Sequence, residues 1–106
     1  MVEWSNGRMV RGKVMARKRF EARISGRVQG VGFRFFVRQA ASEFGITGYV
    51  RNEPDGSLEV VAESEEDVLR KFLDMLWEGP RSARVGDIQV SWGPPSDEYE
   101  RFSVRP

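Results

Sequence analysis

Between Phe20 and Phe44 the apolar period changes from two residues to about 3.6 across a glycine-spaced loop, which restricts the chain to few folds. Phe20, Ala22, Ile24 and Gly26 alternate with Glu21, Arg23 and Ser25, the pattern of a half-buried strand. Gly26, Gly30 and Gly32 space the loop that follows. Phe33, Phe36, Val37, Ala40, Ala41 and Phe44 then fall at i, i+3, i+4, i+7, i+8 and i+11, one apolar face of a helix. Gly45 is placed to end it as a left-handed cap.

The rest of the chain continues in the same grammar. Ile46 to Asn52 reads as a second strand, with Ile46, Gly48, Val50 and Asn52 on one face. Glu53-Pro54-Asp55-Gly56 is a turn, and Ser57 to Glu63 a third strand with Leu58, Val60 and Ala62 inward. Ser64 is expected to cap a second helix whose apolar face is Val68, Leu69, Phe72, Leu73 and Leu76. Glu65, Glu66 and Asp67 crowd its positive end. Gly79-Pro80 stops it, residues 83–92 form a fourth strand bulged at Gly86, and Arg101 to Arg105 form a short fifth.

The order β-α-β-β-α-β predicts an α+β ferredoxin-like sandwich. Its antiparallel sheet carries two helices on one face and a short extra C-terminal strand. At 106 residues one domain is expected, spanning 19–106 behind a basic extension at 1–18.

The chain has neither Cys nor His. Thiolate nucleophiles, disulfides, the phosphohistidine route and most zinc chemistry are thereby removed. Catalysis would have to run on guanidinium groups, amides, carboxylates, hydroxyls and backbone; no metal and no cofactor are expected. Residues 1–34 hold nine Lys/Arg against two acids, whereas the remainder holds eight against fourteen. The basic end would attract an anion or simply lie solvated. No apolar run approaches a membrane span, and charges interrupt the N-terminus where a signal peptide would be apolar, so a cytoplasmic location is expected.

The loop from Gly26 to Arg34 joins a strand end to a helix start. There the first helical amides lack internal partners and carry partial positive charge, which suits an anion. Arg34 in the first turn opposes the helix dipole by about 0.3–1 kcal/mol, a penalty that an anion between guanidinium and amides reverses. Its planar fork also matches two phosphate oxygens. Under the usual sheet order 4-1-3-2, the first and second strands end at one sheet edge. Asn52 then lies roughly 10 Å from the loop, two strand spacings away.

These segments carry a family resemblance. Ile24-Ser-Gly26-Arg-Val28-Gln29-Gly30-Val31-Gly32-Phe33-Arg34 resembles the first signature of the acylphosphatases, and Gly48-Tyr49-Val50-Arg51-Asn52 followed by Gly56 resembles the second. Gly79-Pro80-Arg-Ser-Ala83-Arg-Val85 is similar to the family's link into the fourth strand. Leu58 and Ser64 depart from the pattern, where Val and Gly are usual. The resemblance implies hydrolysis of the carboxyl–phosphate bond of acyl phosphates without a metal. It implies Arg34 and Asn52 as the catalytic pair, with the amides of Gln29, Gly30, Val31, Gly32, Phe33 and Arg34 cradling phosphate. A small acyl phosphate as substrate, inorganic phosphate as product and a monomeric protein complete the expectation. Whether Arg23, Arg27 or Arg38 assists is left open.

The rival is an RNA-binding ferredoxin-like module, since the same element order supports such domains. Their aromatic motif belongs on the third strand; here Gly32-Phe-Arg-Phe-Phe-Val37 opens a helix and Ser57 to Glu63 has no aromatic. Nucleic acid is therefore not the expected partner.

Overall fold

The computed structural model describes residues 2–5, 8–11 and 16–106. Within the N-terminal extension, β1 (Val2–Ser5) pairs antiparallel with β2 (Arg8–Arg11), where the sequence shows no period. The domain itself is built from β3 (Arg17–Arg27), α1 (Phe33–Glu43), β4 (Thr47–Asn52), β5 (Leu58–Glu65), α2 (Glu66–Glu78), β6 (Arg84–Gly93) and β7 (Phe102–Arg105). The first domain strand takes in Arg17 and Lys18, which pair with Glu65 and Ser64, so the sheet starts inside the segment read as extension.

The sheet order is β6-β3-β5-β4-β7. Its first four strands have the expected 4-1-3-2 arrangement, with β5 antiparallel to both β3 and β4. The added strand β7 runs parallel to β4 and places Arg105 beside Arg51. Both helices pack on one face, α1 over β4 and β7, α2 over β5, β3 and β6. Alternation decides that face: Phe20, Ile24, Leu58, Val60, Val50 and Phe102 meet Val37, Ala41, Leu69, Phe72 and Leu76 in one buried core. The Phe72 ring lies 6.1 Å from both Phe20 and Phe102 and so ties α2 to the strands.

Gly86 is skipped in the β3–β6 pairing, which passes from Ser25↔Asp87 to Gly26↔Val85, the bulge expected there. Gly26 faces that bulge at φ 127°; a Cβ there would stand 2.3 Å from the Arg84 carbonyl oxygen. Only glycine permits the approach, and the loop leaves β3 in a direction set by it.

Ser64 does not cap α2. It is buried as a residue of β5, and extended Glu65 precedes the helix with no side-chain cap. The ladder with Lys18 carries the strand two residues further than the alternation suggests. Glu66 and Asp67 in the first turn offset the amide charge in place of a hydroxyl.

From β6 the chain must cross to β7 at the opposite edge, and Glu63 holds the crossing. Its carboxylate, fully buried, accepts bonds from Ser96 N–H (2.9 Å), Ser96 Oγ (2.8 Å), Asp97 N–H (2.9 Å) and Arg19 Nη1 (2.9 Å). Burial pushes this carboxyl up, but the Ser96 amide, Arg19 and the remaining donors outweigh it and hold it down at about 2.

Candidate active site

Val28 and Phe33 are each 1% exposed, so the loop between them is pinned in the core at both ends. Gly30 (φ 73°) and Gly32 (φ 79°) take left-handed backbone, and Gly32 stands as the N-cap of α1. Left-handed residues alternating with ordinary ones turn successive N–H groups toward one concavity. From Gln29 to Phe35 no main-chain N–H has an acceptor among the described residues; the first helical bond is Phe36 N–H to Gly32 O, 3.1 Å.

Two side chains hold the loop in place. Gln29 Nε2 donates to the carbonyls of Glu53 (2.8 Å) and Ser57 (2.9 Å), both in the β4–β5 turn. That turn is itself rigid, closed by Glu53 N–H to Ser57 O (2.8 Å) and by Asp55 Oδ1, which accepts from Ser57 Oγ and N–H. On the other side Ser82 Oγ donates to Val31 O (3.0 Å). Gln29 thus links the loop directly to the residue after Asn52.

Arg34 and Asn52 line one hollow of about 350 Å³ together with Gly30, Gly32, Phe33, Val28, Phe35, Arg38 and Val104. Gln29 and Val31 support the loop but do not line the hollow. Of the arginines left open, Arg23 is ion-paired to Asp55 (3.1 Å) and bonded to Ser57 Oγ (2.8 Å), and Arg27 does not reach the hollow. Arg38 does. The sequence reading missed Val104 and the Arg105 carbonyl, which accepts a long bond from Arg34 Nη1 (3.4 Å). Both come from β7, whose place beside β4 no local pattern reveals.

The electrostatics run one way. Among the described residues no Asp or Glu lines the hollow, and the first turn of α1 carries no acid, whereas α2 has Glu66 and Asp67 there. Asn52 Oδ1 is buried with no donor among the described residues, an orphan that calls for a ligand or solvent partner. Arg34, which has no carboxylate partner among the described residues, the glycine-loop backbone and Asn52 border one hollow, which suits an anion with a bound water.

The molecule is a ferredoxin-like sandwich whose first loop-to-helix corner brings an arginine and an asparagine to one hollow, an arrangement that suits a small anion. The acylphosphatase family model matches residues 20–104. The chain is 50% identical over 88 residues to an acylphosphatase of Salinibacter ruber, covering 83% of this chain and 93% of that protein. It is 51% identical over 75 residues to an acylphosphatase of Thermus thermophilus, covering 71% and 85%. The crystal structure of an acylphosphatase from Bacillus subtilis superposes with a TM-score of 0.82 at 35% identity, covering 84% of this chain and 99% of that one. The chain belongs to the acylphosphatase family and is an enzyme of that family. The RNA-binding alternative finds no support: the Phe33–Phe36 aromatics lie on α1, and β5 has none.

Proposed function

We propose that this site hydrolyses the carboxyl–phosphate bond of small acyl phosphates, with Arg34 and the loop amides binding the phosphoryl group and Asn52 orienting water. One observation carries the division of labour: Asn52, whose Oδ1 has no donor among the described residues, lines the same hollow as Arg34 and the glycines of the loop. The Asn52 carboxamide then hydrogen-bonds a water in the hollow and leaves a lone pair of that water free for phosphorus.

The steps follow from charge. Phosphoryl transfer asks a protein mainly for positioning and stabilisation of the equatorial oxygens. Arg34 supplies the fork, and the N–H groups of Gly30 to Arg34 supply fixed dipoles that need no reorganisation. The water oxygen bonds to phosphorus as the bond to the carboxyl oxygen breaks, and that pair leaves with the carboxylate. The water's proton passes to a phosphate oxygen, so R–CO–OPO₃²⁻ and H₂O give R–COO⁻ and H₂PO₄⁻. The carboxylate is a good leaving group, so no protein acid is called upon. Charge compensation rests on guanidinium and amides, so the reaction proceeds without a metal and a chelator leaves turnover unchanged.

The same reading makes the protein a cytoplasmic monomer, with the residues before Arg17 outside the enzyme domain. Size-exclusion chromatography and cell fractionation check the first two. Hydrolysis of benzoyl phosphate tests the mechanism. Arg34→Ala should lose about 10³-fold or more in kcat/KM together with phosphate binding. Asn52→Ala should lose about 10²–10³-fold in kcat and keep phosphate affinity. Near-normal turnover by Arg34→Ala, or equal loss of binding and turnover by Asn52→Ala, refutes the assigned roles.

A further inference from the structure

The phosphate grip accounts for Arg34, the loop and Asn52, but not for two other residues on the same hollow. Phe35 is 60% exposed, the most exposed large apolar side chain among the described residues. Nothing in the core explains an aromatic ring there. The guanidinium carbon of Arg38 stands 5.4 Å from the centre of that ring, within cation–π range. Arg38 has no carboxylate partner among the described residues, a state it shares with Arg27, Arg34, Arg81, Arg84, Arg101 and Arg105, but of these only Arg34 and Arg38 line the hollow.

Spacing adds the geometry. Arg38 follows Arg34 by four residues on α1, one turn away and about 6 Å along the axis. Like charges at that spacing repel one another. A ligand with an anionic group at each end of such a span relieves the repulsion. Phe35, between them in sequence and lining the same hollow, offers a flat apolar wall to whatever joins the two charges.

We propose that Phe35 and Arg38 form the acyl-group subsite and favour acyl phosphates whose acyl part bears a second negative charge beyond a flat or apolar spacer. This rests on the reading that the phosphoryl group sits on Arg34. Arg38 is then a specificity-determining residue, acting on the far end of the substrate and not on the reacting bond.

The test compares 3-carboxybenzoyl phosphate with 3-methylbenzoyl phosphate. The two have similar size and leaving-group strength, differ in one charge and cannot cyclise. The measured quantity is the ratio of their kcat/KM values within each protein, so a general loss of activity cancels. The ratio should fall about 2–5-fold in Arg38→Gln, the range for an exposed charge pair, and further in Arg38→Glu. The change should lie in KM, and 0.5 M salt should shrink the wild-type ratio toward that of Arg38→Gln. A ratio that is the same in all three proteins overturns the subsite while leaving acyl phosphate hydrolysis standing. If the wild-type protein hydrolyses neither compound, the phosphate assignment itself fails and the subsite with it.

Discussion

Glu63 offers the most quantitative test of how the pocket is closed. Its carboxylate anchors Ser96 and Asp97 in the crossing that delivers β7, and β7 supplies Val104 and the Arg105 carbonyl to the site. The carboxyl is held down at about 2 from an ordinary 4.5. A group depressed on folding stabilises the native state fully above its unfolded pKa, and that contribution is lost as pH falls through the folded one. The window is therefore pH 4.5 down to about 2. At about 1.4 kcal/mol per pKa unit the contribution is on the order of 3 kcal/mol. Urea unfolding followed by tryptophan fluorescence, on wild type and Glu63→Gln at pH 7, 4.5, 3 and 2, measures it. The wild-type midpoint should exceed that of Glu63→Gln by about 1–3 M at pH 7, given m values of about 1–3 kcal/mol/M. The gap should persist to pH 4.5 and close by pH 2. Other carboxylates titrate in both proteins and cancel. A gap independent of pH would show that Glu63 contributes by shape alone and refute the ionic anchoring.

Gln29→Ala removes both bonds to the Glu53 and Ser57 carbonyls; kcat for benzoyl phosphate should fall while KM changes little, because Asn52 loses its fixed distance from the loop. Steady-state kinetics with a phosphate-inhibition control checks this. Gly26→Ala forces a Cβ against the Arg84 carbonyl and should destabilise by more than about 3 kcal/mol, read by urea denaturation. Inorganic phosphate at about 100 times its dissociation constant should stabilise the wild type by about 2.7 kcal/mol, and Arg34→Ala should show no such gain in melting temperature.

Periodicity made most of the fold legible. Each inward face, the Gly86 bulge and the junction of a glycine loop with an arginine-bearing helix start follow from local residue patterns, because side-chain period and backbone freedom are local properties, whereas the 4-1-3-2 order follows only from the element order and the arrangement usual for it. The Ser64 cap failed because the Lys18 ladder extended β5 through it, a nonlocal hydrogen-bonding choice that no residue in the segment announces.

The residue types at the site, and with them the exclusion of His and Cys chemistry, were determined by the sequence alone. Which of those residues meet was decided by tertiary structure. Asn52 Oδ1 is buried with no donor among the described residues, Arg38 reaches the hollow while Arg23 is taken by Asp55, and β7 closes the rim, all set by how segments far apart in the chain pack. The physical reason is that a side chain's chemistry belongs to its own atoms, whereas its burial, partners and free valences belong to whatever the packed chain places beside it.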